Sequence, residues 1–233
     1  MSLKNGVFAE LMDKRYKAIF LERKNRFVGV VKLQGEVLDV YVPNTGRCKE
    51  LLFKGNEVLL MDHGNSHRKY RYSVSEAKKD DYYVAINSTI ANKILEDELK
   101  NGRLGLEGPL QKEVKCPLGS RLDFRVGNTF IEVKSVTLDE GGLALFPDAP
   151  TERGIRHLKE LSGLKALGYD AWIIYVIFTR SHAFSPHPKR EEYLKAFLEA
   201  KASGVKILPL LFIQEKGIYL NKGEIPLELK ESI

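Results

Sequence analysis

Residues 171–178 form an uninterrupted run of apolar and aromatic side chains, and this run constrains the fold more than any other segment. A strand that is apolar at every position has both of its faces covered. A helical pattern at residues 189–202, Gly204 and a second apolar run at residues 205–211 follow it. Together they predict a strand–helix–strand unit, which is typical of an α/β domain.

The N-terminal third follows a different pattern, in which short segments of strand propensity alternate with turn signals. Gln34-Gly35 is a hairpin-turn pair, and residues 43–46 read Pro-Asn-Thr-Gly, a loop with two strong turn residues. Short strands at this spacing predict a small barrel or sandwich, and among small barrels the OB-fold is the usual oligonucleotide binder. The predicted strands are residues 16–24, 27–33, 36–42, 57–62, 69–76 and 82–86.

The pattern changes near residue 87, which predicts two domains, at residues 1–86 and 87–233. Charge divides at the same place. The first domain contains 16 Lys and Arg against 11 Asp and Glu, and the second contains 21 against 20. Nearly all of the net charge of +6 is therefore N-terminal, which favours a polyanionic partner for that domain.

Two helices are predicted in the second domain besides the one at residues 189–202. Asn87-Ser88 can cap a helix that runs through Leu99. Pro150 stands where a first helical residue is favoured and opens a helix to about residue 167. The apolar face of that second helix consists of Ile155, Leu158, Leu161 and Leu164.

Several classes of protein are excluded by the pattern. No apolar run approaches the ~20 residues of a membrane helix, and the charged start lacks the apolar stretch of a signal peptide, so we expect a cytoplasmic protein with no membrane association. Cys48 and Cys116 are isolated, which favours two reduced thiols over a zinc site or a disulfide. Neither a phosphate-binding P-loop nor a dinucleotide fingerprint occurs.

The sharpest functional signal is a predicted hairpin at residues 121–134. Its turn is Gly127-Asn128, and this register places Phe124 opposite Ile131 and Asp123 opposite Glu132. Side chains alternate along a strand, so Lys134 shares the face of Glu132.

Opposed carboxylates repel each other, and a divalent cation would offset that repulsion. Mg²⁺ (or Mn²⁺) suits a site with few carboxylates and a phosphate substrate. Asp123 and Glu132 would hold the metal, and Lys134 would stabilise developing charge or orient a water, as in phosphodiester hydrolysis. The alternative is a solvated strand face with no function, because this short pattern is common by chance.

Other candidate residues each carry two interpretations. Glu113 is either a third metal ligand or an exposed side chain. Arg153 and His157 lie four apart on the Pro150 helix, opposite its apolar face. They either contact the scissile phosphate, with His157 assisting proton transfer, or simply face solvent.

A basic and aromatic segment at residues 67–72 reads His-Arg-Lys-Tyr-Arg-Tyr. Cations interleaved with aromatic rings are typical of single-strand grooves. Arg68, Lys69 and Arg71 are therefore predicted to bind nucleic acid, and Arg47 would extend the same patch. The alternative is an exposed edge strand protected by its charges.

The chain resembles the sugar fermentation stimulation protein A family along essentially its whole length. The matching segments are residues 42–47 (Val-Pro-Asn-Thr-Gly-Arg), 113–115, 121–124, 131–137, 146–158 and 184–186, together with Tyr193. The resemblance implies an N-terminal OB-like domain, a C-terminal domain like the PD-(D/E)xK nucleases with a mixed sheet flanked by helices, and a DNA-binding role.

Carried over by residue, the nuclease pattern falls on Asp123, Glu132 and Lys134, although Leu122 stands where that pattern has proline. The leading hypothesis is a Mg²⁺-dependent nuclease acting on DNA. The alternative is a DNA-binding transcriptional regulator of sugar metabolism that keeps the fold without activity, and an RNA-processing enzyme is the third reading. The oligomeric state, the substrate structure and the choice between endo and exo action are not determined by the sequence.

Overall fold

The structure is a computed structural model that describes residues 7–9, 15–64 and 67–229, with backbone alone at residues 7–9. The parts of the predicted N-terminal domain at residues 1–6, 10–14 and 65–66 lie outside the described residues. No helix in the described part of the chain is long and apolar enough to cross a membrane.

Five of the N-terminal strands form a barrel with OB topology. In chain order the strands are β1 (Val7–Ala9), β2 (Arg15–Asn25), β3 (Val28–Leu33), β4 (Glu36–Tyr41), β5 (Glu57–Asp62), β6 (Tyr72–Lys79) and β7 (Tyr82–Ala85). Hydrogen bonding follows the order β4-β3-β2-β5-β6-β7, and a parallel bridge between Tyr41 and Ser73 closes β2 to β6 into a five-stranded barrel. The predicted OB-like domain is confirmed.

The predicted β3–β4 hairpin is confirmed in its turn chemistry. Gln34 and Gly35 both have positive φ, 51° and 96°, as a two-residue hairpin turn requires. One strand differs from the prediction of residues 69–76. It begins at Tyr72 and lies between β5 and β7, so Lys69 is in the preceding loop and the segment is no edge strand.

The C-terminal domain is a mixed sheet with helices. Its elements are α1 (Thr89–Lys100), β8 (Leu110–Lys115), β9 (Arg121–Val126), β10 (Thr129–Val136), β11 (Leu138–Glu140), β12 (Leu143–Phe146), α2 (Glu152–Ala166), β13 (Asp170–Ile177), β14 (Ala183–Pro186), α3 (Glu191–Ala202), β15 (Lys206–Glu215) and β16 (Ile218–Glu224). The seven-stranded sheet has the order β1-β16-β15-β13-β10-β9-β8, with β10, β13 and β15 parallel. A small sheet orders β11-β12-β14.

Strand β13 is covered on both faces, as its unbroken apolar sequence predicts. Ile173 and Tyr175 pack with α2 and α3, while Ile174 and Val176 pack on the opposite side with α1 and the barrel. All four side chains are fully buried. The core on the second side is continuous from the barrel into the C-terminal domain.

Two segments depart from the predicted boundaries. The β1 backbone, which the sequence assigned with residues 1–86, pairs with β16 of the C-terminal sheet. Helix α2 begins at Glu152, not at Pro150, because Thr151 is its N-cap: the Gly154 N–H donates to Thr151 Oγ1 over 3.0 Å.

Candidate active site

A cleft of about 300 Å³ lies between the barrel and the C-terminal domain. Its floor is Asp123 and residues 132–135 of the β9–β10 hairpin. The barrel contributes Arg26 and residues 44–46 as one wall, and residues 145–151 form the facing wall. The cleft thus places the predicted catalytic residues against the barrel loop that follows β4.

The predicted hairpin register is confirmed from the turn as far as the pair Phe124–Ile131, one position before the predicted acidic pair. Val126 pairs with Thr129 and Phe124 with Ile131, as expected for a Gly127-Asn128 turn. The backbone ladder ends there, so no Asp123–Glu132 pair continues it. Instead the Val133 N–H donates to Asp123 Oδ2 over 2.8 Å. Both carboxylates nevertheless line the same cleft.

Asp123 is a partly buried carboxyl whose pKa is raised above its usual value. Burial raises its pKa, and the negative charge of Glu132 raises it further, to about 6. The Val133 N–H, the Asn92 amide and Lys134 act in the opposite direction. Asn92 lies on α1, and its Nδ2 donates to Asp123 Oδ1 over 2.8 Å.

Glu132 is 3% exposed and is held as an anion by two partners. Burial pushes its pKa upward, but Lys134 and His157 outweigh burial and hold the pKa below its usual value. Both partners meet Oε1, with Lys134 Nζ and His157 Nδ1 each 2.5 Å away. The other oxygen, Oε2, is buried with no hydrogen-bond partner among the described residues.

Of the two interpretations of His157, the solvent-facing one is wrong, because the side chain is buried. It is 1% exposed and points from α2 to Glu132. Arg153, one turn earlier, is exposed at the cleft wall, and its Nε lies 3.5 Å from His157 Nε2. His157 Nδ1 also lies 3.4 Å from Lys134 Nζ, so the imidazole contacts Glu132, Lys134 and Arg153 together.

The donor set fits a hard divalent cation. Asp123 and Glu132 supply carboxylate oxygens in one cleft, and the unpartnered Glu132 Oε2 is what a bound cation would satisfy. Glu113 does not join them. It is exposed, has a φ of 52°, and lines a neighbouring cavity of about 350 Å³ on the α1 side of Asp123. No cluster of three His, Cys, Asp or Glu side chains suited to a metal occurs in residues 15–64 and 67–229.

The predicted nucleic-acid residues of the N-terminal domain separate into two places. Arg71 forms a two-point contact with Asp62 at 2.9 and 2.8 Å and lines a cavity beside the β3–β4 hairpin, away from the cleft. Arg68 contacts His63, and Lys69 lies over the Tyr70 ring. Arg47, in contrast, lines a groove that continues the cleft above Asp123 and Glu132.

Several residues at the cleft gave no clear signal in the sequence. Asn92 reaches Asp123 only through the docking of α1, so no local pattern identifies it. Asn44 is buried in the loop after β4, where its Nδ2 donates to the Ile86 carbonyl. Asp148 Oδ2 accepts the Cys48 N–H over 2.7 Å and so ties the two walls together. The Pro-Asn-Thr-Gly turn could have indicated Asn44, but only as a loop residue.

Two family profiles match the chain. "SfsA N-terminal OB domain" covers residues 21–86, and "Sugar fermentation stimulation protein RE domain" covers residues 86–216. A sugar fermentation stimulation protein homolog of Thermosipho melanesiensis is 40% identical over 222 residues, 93% of this chain and 96% of the relative. A homolog of the same description from Desulfitobacterium hafniense is 39% identical and covers 82% of this chain and 86% of the relative.

A solved structure is similar over nearly its whole length. It is that of Pyrococcus furiosus SfsA in complex with Ca²⁺, with a TM-score of 0.85 and 28% sequence identity. The match covers 98% of this chain and 99% of that chain. The two-domain architecture is therefore common to the two proteins.

Proposed function

The chain belongs to the sugar fermentation stimulation protein family, and from that premise and the cleft we propose that it is a divalent-metal-dependent nuclease that hydrolyses phosphodiester bonds of DNA. Mg²⁺, or Mn²⁺ in its place, is the proposed cofactor, and Asp123 and Glu132 are its proposed ligands. The cytoplasmic location expected from the sequence stays a prediction.

The observation that carries the proposal is the state of Glu132. A carboxylate that is 3% exposed, kept anionic by Lys134 and His157, and left with one buried oxygen unpartnered is costly as a purely structural feature. A bound cation removes that cost. When bound, such a cation supplies Lewis-acid polarisation of a phosphate oxygen and acidifies a coordinated water.

The chain's own residues have distinct tasks under this proposal. Lys134 Nζ lies beside Glu132 at the cleft surface, where it can donate a hydrogen bond to charge that develops on the phosphate. Asn92 and the Val133 N–H fix the Asp123 carboxylate, and His157 fixes Glu132. The exposed Arg153 guanidinium at the cleft wall can contact a neighbouring phosphate.

Relatives add independent support. Pyrococcus furiosus SfsA was solved in complex with Ca²⁺, so a protein of this fold and family holds a divalent cation that prefers oxygen ligands. The basic balance of the N-terminal domain supports a polyanionic substrate.

The test is cleavage of end-labelled DNA as single strand, duplex and flap, with Mg²⁺, with Mn²⁺ and with a chelator. We expect metal-dependent cleavage by the wild-type chain and a loss of at least about 100-fold in Asp123→Asn, since the metal loses a charged ligand. Asp81→Asn is the matched control, because Asp81 is an exposed carboxylate paired with Arg180 away from the cleft.

If the chain binds DNA but cleaves none of the substrates with either metal, the nuclease proposal is contradicted and the non-catalytic regulator is favoured. Cleavage that survives in Asp123→Asn would remove this cleft from the account.

A further inference from the structure

We propose that the barrel guides an unpaired DNA strand into the catalytic cleft, with Arg26, Arg47 and Lys49 on its phosphates and the Phe27–Tyr41 ring pair under its bases. The proposal rests on the proposed function of the cleft. It adds the form of the substrate and the residues that hold it.

The first observation is a groove that continues the cleft along the barrel. The groove has a volume of about 480 Å³ and shares with the cleft Arg26, Thr45, Gly46, Ala149 and Pro150. A chain leaving the Asp123–Glu132 floor past this wall therefore enters the groove directly.

The second observation is the charge of the groove. Arg23, Arg26, Arg47 and Lys49 line it, and none of its described lining residues is acidic. Arg26, Arg47 and Lys49 are exposed and form no ion pair within the described part of the chain. Cations with no carboxylate partner beside the cleft are free to bind a phosphate backbone, and Arg26, which lies 5.8 Å from the centroid of the Phe27 ring, remains one of them.

Arg23 has a different role, because its guanidinium is used within the protein. Nη1 donates to the carbonyls of Gly46 and Arg47, each over 2.7 Å. Nη2 donates to the carbonyls of Arg26 and Asn44 over 2.6 and 2.8 Å. One side chain thus joins the β2–β3 turn to the loop after β4, and the groove is held in shape before any ligand binds.

The third observation is a pair of stacked rings beside Arg26. Phe27 and Tyr41 have ring centroids 6.3 Å apart and an interplanar angle of 25°. They are 42% and 39% exposed, although large aromatic side chains usually gain from burial. Exposed rings next to a basic groove stack on unpaired bases, whereas the bases of a duplex are already stacked on each other.

The experiment measures binding separately from catalysis. Fluorescence anisotropy is recorded with labelled oligo(dT) and with a blunt duplex of equal length, with chelator present so that no metal-dependent cleavage occurs. We expect tighter binding of the single strand. In Phe27→Ala/Tyr41→Ala we expect single-strand affinity to fall at least tenfold while duplex affinity stays within about twofold.

Further variants serve as controls for the contribution of charge and for loss of the fold. Arg26→Ala and Arg47→Ala should each reduce the salt dependence of single-strand binding by about 0.7 in the log–log slope. Phe53→Ala, at an aromatic that is 51% exposed but does not belong to the stacked Phe27–Tyr41 pair, should bind as the wild type does. Phe27→Trp, which keeps an aromatic face, should retain binding and so separates stacking from loss of fold.

Equal loss for single strand and duplex, or no loss, in the double aromatic variant would overturn the single-strand path while leaving the nuclease proposal intact. The expected binding pattern with no cleavage under any metal would leave the path standing and remove the nuclease.

Discussion

At the scale of single residues, two carboxylates in one cleft are driven toward opposite behaviour. Asp123 is buried beside another negative charge with neutral donors, so its pKa rises to about 6. Glu132 is buried more deeply, yet Lys134 and His157 keep its pKa low. At neutral pH both are anionic, and the ionisation of Asp123 lowers the free energy of unfolding.

This difference predicts the pH dependence of stability. The folded pKa of Asp123 is about 6, above the ~3.9 of an unfolded chain. The folded state therefore binds the proton more tightly, and wild-type stability contributed by this group falls as pH rises from about 4 to 6. Without metal at pH 8, Asp123→Asn should unfold about 6–12 °C higher than wild type, which corresponds to roughly 3 kcal/mol.

Thermal unfolding at pH 8 and pH 4 checks this. The difference in unfolding temperature between Asp123→Asn and wild type should vanish near pH 4. Added Mg²⁺ should reduce that difference at pH 8, because only the wild type binds the ion well. An Asp123→Asn protein that is less stable than wild type at pH 8 would show that the carboxylate stabilises the fold.

At the scale of elements, the sequence predicts what depends on local chemistry. The Gly127-Asn128 turn sets the register of the β9–β10 hairpin, and the unbroken apolar run of β13 indicates cover on both faces. His157 was placed on the wrong side of α2, because helical spacing shows which residues share a face but not what packs beside that face. Glu132 on β10 packs there, and the buried side of α2 is therefore wider than its leucine stripe.

The proposed role of His157, which is to orient Glu132 from α2, can be tested with a matched pair of substitutions. His157→Asn keeps a nitrogen donor close to the position of Nδ1, whereas His157→Leu keeps bulk without a donor. We expect His157→Leu to weaken Mn²⁺ binding by about 10–100-fold and His157→Asn to retain most of it, as for other residues that orient a metal ligand. Calorimetric titration gives both affinities. Equal affinities in the two variants would show that the imidazole only fills space.

At the scale of the whole molecule, the two domains share one core and a buried polar contact. Glu76 on β6 is fully buried and accepts hydrogen bonds from Arg15 over 2.9 Å and from Tyr219 of β16 over 2.6 Å. The sequence separates the two architectures near residue 87 but carries no signal for this contact or for the cleft. Both arise from pairs of residues distant in the chain, as with Asn92 and Asp123.

The shared core predicts a single calorimetric unfolding transition for both domains. Tyr219→Phe should reduce the free energy of unfolding by about 1–3 kcal/mol, because buried Glu76 loses a hydrogen-bond donor. The whole transition should therefore shift to a lower temperature without splitting. Tyr83→Phe is the control, since Tyr83 donates to Glu57 at the partly exposed barrel surface. Two separate transitions, or a shift confined to part of the heat absorption, would mean that the domains unfold independently.

The central claim, that this cleft performs metal-dependent hydrolysis, is tested most directly by single-turnover cleavage with Lys134→Met. Lys134 contacts Glu132 Oε1 at 2.5 Å, so its removal frees that carboxylate and should leave Mn²⁺ binding as tight as in wild type or tighter. The cleavage rate should nevertheless fall at least about 100-fold, because developing charge on the phosphate loses its cation. Wild-type cleavage rates in Lys134→Met, or no cleavage by the wild-type chain with any divalent metal, would contradict the account.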